Sequence, residues 1–297
     1  MKPTLDLFGL AVPTYSVMMT LGFALALWVV FRQVHRSTVP EGEGGLTRAQ
    51  VWDLFIVMVV ASVIGSKVGH VLFESTGHLI PLLDPASGQE LIGPDGQPRT
   101  REATGLWDLL KEDPWHWARL GEGGYVWYGG LIGALLTAAF YFWRRPHLNA
   151  WLYSDAFAPA IAAGAIVGRL GCFLAGCCYG IESSVPWAVH FPGVRGHVHP
   201  TQLYDALGAL ILAVPLYWRF PRRRFDGEII ALLLMGYAVL RSFTEAFRGD
   251  VDRGLWGPLS TSQLLSIPMF LAGLALYLLR SRRATATPAG DSSRAAG

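Results

Sequence analysis

From Leu7 to Phe31 the chain carries no charged residue, and Arg32 and Arg36 follow at once. An apolar run of that length matches the roughly 20 residues a helix needs to cross a hydrocarbon core about 30 Å thick. A cleaved signal peptide is the competing reading. It is set aside because the run is long, its positive charges lie on the C-terminal side and no small-x-small cleavage site follows. The run therefore predicts an uncleaved first membrane helix.

Six further candidates follow, at about 51–73, 123–143, 156–175, 201–218, 229–247 and 259–279. Of 297 residues, 52% are apolar and only 15% charged, against about 25% charged in an average globular chain. That balance excludes a disordered chain and leaves too few charges to cover a soluble two-domain enzyme. A net charge of +2 with no dense basic block argues against a nucleic-acid partner.

The connecting segments sort by sign. Residues 32–48, 144–145, 219–224 and 280–283 are basic, whereas 74–122, 175–200 and 248–258 are acidic or mixed. This alternation obeys the positive-inside rule. It predicts an all-α membrane protein with seven transmembrane helices, the N-terminus outside, the C-terminus cytoplasmic and a long outside loop at 74–122 between helices 2 and 3. Trp107, Trp115 and Trp117 in that loop are spaced as an interfacial belt. Residues 1–283 read as one membrane domain. The low-complexity tail 284–297 reads as disordered. No internal repeat of the inverted-transporter kind is visible.

Charges inside apolar runs need a reason, since a mid-membrane Arg costs about 2.5–3.5 kcal/mol on insertion scales. Arg169 follows AIAAGAIVG and Arg241 follows LLLMGYAVL. Snorkelling to the headgroups is the bland account of each. Both, however, fall toward the outer ends of their helices. Two guanidiniums on one side favour a shared anionic ligand, because the fork matches phosphate and stays charged in low dielectric. Glu245 sits four residues after Arg241 and three before Arg248, so an ion-pair ladder along one helix face is the structural alternative. Lys67 and Glu74 read as membrane-edge charges.

Small residues recur at packing distance in Gly129/Gly133, Gly164/Gly168 and Gly176/Gly180. The run from Gly168 to Gly180 is denser, with glycines around Arg169 that would let backbone approach a headgroup. It also holds all three cysteines, Cys172, Cys177 and Cys178. Without CxxC or HxxxH partners they fall short of a metal site. Buried small side chains, a disulfide from Cys172 to Cys177 or Cys178, and thiol chemistry remain as readings. His197 and His199 precede Pro200-Thr201-Gln202-Leu203-Tyr204 at a helix start.

These segments together resemble the prolipoprotein diacylglyceryl transferase family. Its signature is similar to Gly168-Arg169-Leu170-Gly171, Phe173, Gly176 and Gly180. Tyr128-Gly129-Gly130-Leu131-Ile132-Gly133 resembles its HGGLIG stretch, and His199 to Tyr204 its HPSQLY motif. Gly236-Tyr237, Arg241, Glu245 and Arg248 follow its sixth-helix pattern. Gln263 to Met269 follows its last-helix pattern, and Tyr15 and Gly22 resemble first-helix positions. The chain departs from the family at Cys172 (commonly Asn), Cys177 (commonly Glu), Tyr128 (commonly His) and Lys67 (commonly Arg).

The resemblance implies a multi-pass enzyme of the bacterial cytoplasmic (inner) membrane. It would move the diacylglyceryl group of phosphatidylglycerol to the lipobox cysteine thiol of a prolipoprotein. A thioether forms and glycerol phosphate leaves, as the first step of lipoprotein maturation. Arg169 and Arg241 would stabilise the leaving phosphate. Tyr128 would orient or deprotonate the thiol, with His199 as second candidate. Glu245 would orient Arg241 and Arg248, and Tyr237 would line the headgroup pocket with Tyr15, Gly129, Gly130, Gly171 and Gly180. No metal or organic cofactor is expected, since both substrates carry their reactive groups. A non-catalytic lipid-binding or transport protein and a membrane thiol–disulfide oxidoreductase are the alternatives from other classes.

Overall fold

The computed structural model describes residues 4–7, 10–37, 45, 47–73, 79–81, 100–102, 126–249, 255–256 and 259–286. Seven helices carry it: α1 (Thr14–Arg36), α2 (Arg48–Phe73), α3 (Trp127–Trp143), α4 (Ala150–Ala175), α5 (Thr201–Arg219), α6 (Glu228–Glu245) and α7 (Thr261–Ala286). Helices α1, α2, α4, α5 and α7 are long and apolar enough to cross a membrane. Helix α3 is apolar but shorter, and α6 contains Glu228, Arg241 and Glu245.

Three short antiparallel pairs accompany the helices: β1 (Thr4–Leu7) with β2 (Leu10–Pro13), β3 (Leu79–Pro81) with β4 (Thr100–Glu102), and β5 (Leu255–Trp256) with β6 (Leu259–Ser260). The first pair corrects the expected start of the first helix at Leu7. Leu7 pairs with Leu10 and Thr4 with Pro13. Pro13 has no N–H to give a ladder or helix and holds the residue before it extended, so α1 begins only at Thr14. In the expected outside loop, only β3 and β4 lie within the described residues. Glu74, Trp107, Trp115 and Trp117 lie outside them, as do residues 287–297. Residues 284–286, assigned to the tail from sequence, continue α7.

The chain divides into two compact units, residues 49–146 and residues 1–48 with 147–297. In the first, α2 and α3 meet through glycine. A side chain at Gly129 would run into the Gly65 carbonyl, one at Gly133 into the Ala61 carbonyl, and one at Gly130 onto Ser62. Lipid offers no hydrophobic drive between helices, so close backbone approach of small residues is what holds such a pair. Lys67, expected at a membrane edge, is only 2% exposed. It lies six residues before the end of α2 and is buried, not extended along an exposed surface as a snorkelling side chain would be.

The larger unit is built around α4. Leu152, Tyr153, Asp155, Ala156 and Ala158 have no exposed surface. Gly22 of α1 sits against the Gly164 carbonyl, where a Cβ would approach to 3.2 Å. Helix α4 starts six residues before the sequence expectation because Asn149 caps it, accepting from the Leu152 amide at 3.3 Å. The intervening Asp155 is an anchor. Its carboxylate accepts from the amides of Gly227 (2.7 Å), Ile229 (2.9 Å) and Ile230 (3.0 Å), closing the N-terminus of α6. At the same end, Gln33 and Arg36 of α1 donate to the Tyr217 carbonyl at 3.2 and 3.0 Å. There Arg219 pairs with Glu228 at 2.8 Å, and Arg280 of α7 donates to the Asp226 carbonyl. Arg36, Arg219 and Arg280 thus serve helix ends at one pole. The opposite pole carries the charges that interrupt the apolar runs.

Candidate active site

Helix α4 ends in a left-handed glycine. Gly176 has φ 74°, and the Cys177 amide returns to the Cys172 carbonyl at 3.1 Å. Cys178 follows with φ 61°, unusual for a residue with a side chain. These two left-handed steps turn the chain back over the helix end. They bring the Sγ atoms of Cys172, Cys177 and Cys178 within 4.8 Å of one another. None of the three is in a disulfide. Hydrogen bonding with Cys172 and Cys177, then the charge of Arg248, draws the Cys178 thiol well below its ordinary range.

The first turn of α5 fixes this loop. Thr201 Oγ1 donates to the Cys178 carbonyl at 2.8 Å and Gln202 Nε2 to the Cys177 carbonyl at 2.6 Å. Tyr204 Oη lies 2.9 Å from His199 Nδ1 and accepts from Trp187 Nε1 at 2.7 Å. The Gly180 amide donates to the His199 carbonyl and the Ile181 amide to the Phe247 carbonyl, at 2.8 and 3.0 Å. Gly180 is wedged between Phe247, His199 and Thr201, where no Cβ fits. In this way the His199–Tyr204 segment holds the cysteine loop, and the loop holds residues 247–248.

The charges converge on Asp205, one turn further along α5. Its Oδ2 lies 3.2 Å from Arg169 Nε and 4.0 Å from Arg248 Nη1. Arg241 pairs with Glu245 one turn on and donates from Nη2 to Ser262 Oγ on α7 at 2.7 Å. Asp205 and Tyr237 act electrostatically on both Arg169 and Arg241. Three guanidiniums and two carboxylates therefore gather among the described residues, leaving one positive charge in excess. Arg241 Nη1 is buried and has no hydrogen-bond partner among them. A group that desolvates cations and leaves a donor unspent is suited to an anion, and a fork of N–H donors to phosphate. Snorkelling does not describe Arg241, whose side chain is 12% exposed.

Arg248 differs from the expected ladder. Helix α6 stops at Glu245, and Arg248 lies beyond it in a β-bridge with Gly180. Its Nη1 lies 4.0 Å from Asp205 Oδ2, and the Phe247 carbonyl beside it accepts from the Ile181 amide. Tyr15 lies against Gly171, 3.5 Å from where a Cβ would stand, and joins the electrostatic surroundings of Cys172 and Arg169. Tyr128, Gly129 and Gly130 belong to the other unit. Tyr128 is exposed on the first turn of α3, and both glycines are engaged in packing on α2. Asp205 is the residue that sequence reasoning passed over. It is the only charge between 201 and 218, the same signal that marked the arginines.

Helices long and apolar enough to span a membrane, with arginines and carboxylates gathered at one end of α4, α5 and α6, define a multi-pass membrane protein. Residues 3–279 match the family model described as prolipoprotein diacylglyceryl transferase, and the chain belongs to that family. It is 33% identical over 291 residues to the phosphatidylglycerol–prolipoprotein diacylglyceryl transferase of Bordetella avium, with 96% of each chain covered. The protein of the same name from Shewanella oneidensis is 31% identical, with 92% of this chain and 91% of the relative covered. That from Vibrio cholerae is also 31% identical, at 92% and 89%.

Proposed function

We propose that this chain transfers the diacylglyceryl group of phosphatidylglycerol to the lipobox cysteine thiol of a prolipoprotein, releasing glycerol phosphate. The observation that carries the reading is Arg241 Nη1, buried and without a hydrogen-bond partner among the described residues, in a cluster with Arg169 and Arg248. The thiolate sulfur attacks the glyceryl carbon while the carbon–oxygen bond to phosphate breaks. Charge then grows on the phosphate oxygen, and donors fixed before reaction stabilise it without reorganising. Arg169 and Arg241 are the donors. Asp205 and Glu245 keep them in place, and Arg248 supports the same field.

The thiol must ionise to attack. Tyr128 orients the thiol or the phosphate by its hydroxyl. His199, whose Nδ1 lies 2.9 Å from Tyr204 Oη, is the group that takes the thiol proton. Tyr237 and Tyr15 line the headgroup side; Gly171 lets Tyr15 stand close to α4 and Gly180 lets the Phe247 carbonyl approach, while Gly129 and Gly130 serve the packing of α3 on α2. The domain is residues 1–283, spanning the bacterial inner membrane seven times with the N-terminus outside. This orientation rests on the basic segments and puts the arginine pole at the outer face.

Purified protein in detergent, given phosphatidylglycerol and a lipobox peptide, tests the proposal. The expected result is a diacylglyceryl thioether on the peptide and one glycerol phosphate per turnover. Retention of phosphatidylglycerol without transfer would instead establish a lipid-binding protein. Disulfide exchange with the peptide would establish an oxidoreductase.

A further inference from the structure

Among the described residues that the transfer reaction leaves unused, the three cysteines form one close group held from both sides of the turn. They come from positions 172, 177 and 178, a spacing that matches no metal motif. Only the two left-handed steps at Gly176 and Cys178 bring them into one group. The side chains of Thr201 and Gln202 fix both carbonyls of the turn. The three Sγ atoms lie within 4.8 Å of one another. Three thiolates on a tetrahedral zinc, with Zn–S near 2.3 Å, stand about 3.8 Å apart. Small side-chain rotations therefore close the distance.

We propose that Cys172, Cys177 and Cys178 bind a zinc ion through three thiolates, and that its fourth position takes the thiol of the acceptor. The second half rests on the transferase reading above. Thiolate ligands select zinc or cuprous copper over harder ions, and zinc needs no redox partner. Three protein ligands with one position open is the arrangement of catalytic rather than structural zinc sites. Charge also fits. Zn²⁺ with three thiolates sums to −1, and the group lies beside Arg248 and within the electrostatic range of Arg169. Cys172 is one helical turn past Arg169, so a sulfur bound here would be delivered to the pole where the phosphate charge develops.

The step balances without an oxidant. On binding, the acceptor thiol gives its proton to His199, the base named above, and becomes the fourth thiolate. Its lone pair forms the sulfur–carbon bond while the carbon–oxygen pair leaves with the phosphate. The neutral thioether is a poor ligand and departs from the zinc.

X-ray absorption on the full-length reduced protein loaded with one equivalent of Zn²⁺ reads the site directly. Three sulfurs near 2.3 Å are expected, rising to four with a lipobox peptide and staying at three with the same peptide carrying Ser for Cys. The variant with Cys172→Ser, Cys177→Ser and Cys178→Ser should retain no zinc after gel filtration. Because that variant could misfold, Co²⁺ spectra of the surface change Cys177→Ser provide a second reading. Its thiolate charge-transfer band should fall by about one third.

Zinc retained equally by the triple variant, or not retained by the wild type, overturns the site. A sulfur count unmoved by peptide overturns the acceptor role. Full transfer after chelation sinks this proposal and leaves the transferase intact. A fourth sulfur without any transfer under zinc sinks the transferase reading and leaves the site standing.

Discussion

Asp205 gives one carboxylate to two guanidiniums, and Glu245 and Ser262 share the third. A Lys would keep the charge at 169 or 241 but lose the fork. Arg169→Lys and Arg241→Lys are each expected to lower transfer about 10²–10³-fold, the usual cost of removing one preorganised donor. The folded protein should remain, as judged by its melting temperature in detergent. Near-normal turnover in both variants would reduce the arginines to anchors. Asp205→Asn breaks a buried pair from the acidic side and leaves uncompensated cations. A loss of about 3–5 kcal/mol is expected, read as a lowered denaturation midpoint.

Tyr128→Phe is expected to slow transfer about 10–100-fold, as for loss of a hydrogen bond to a charged group worth about 1.5–3 kcal/mol. The pH–rate profile should keep its shape. A collapse of activity, restored in Tyr128→His with a more acidic rising limb, would make this residue the base instead. The arginines were legible because a charge inside an apolar run is costly wherever it sits. Asp205 sent the same signal but was passed over, since it follows directly on the recognisable His199–Tyr204 motif. The meeting of the cysteines was not legible. It depends on two backbone angles at Gly176 and Cys178 that spacing does not encode.

Helix ends were the least readable parts of the elements, and three of the discrepancies have a local cause. Pro13 delays α1, Asn149 advances α4, and the bridge between Gly180 and Arg248 ends α6 two residues early. Helix interiors followed from apolar length alone. Asp155 was invisible to that criterion, because a charge near the end of an apolar run marks a boundary unless it caps another helix. Asp155→Ala strips three amides of their acceptor. A loss on the order of 3 kcal/mol is expected, with α6 amides exchanging hydrogen faster than those of α1. Uniform exchange across both helices would argue that α6 needs no cap. Gly129→Leu should likewise separate α2 from α3, since its side chain would enter the Gly65 carbonyl. Lowered melting temperature and raised protease sensitivity within residues 49–146 would report it.

For the whole molecule, the sorting of basic segments makes orientation testable. In a variant lacking native cysteines, a probe cysteine at Ser183 should label from outside, and one at Arg223 only after the membrane is opened. The reverse pattern would invert the protein. The cap on α6 also has a consequence in time. Asp155 lies 72 residues ahead of Gly227, so during synthesis the acceptor is in place before the donors emerge. Arg219, the partner of Glu228, likewise precedes it. At the far end Asp205 and Ile181 likewise precede Arg248 and Phe247, but Ser262, which accepts from Arg241, follows it. A nascent chain halted before residue 261 should therefore carry α6 fastened at both ends with Arg241 still short of one acceptor. That contact waits for α7.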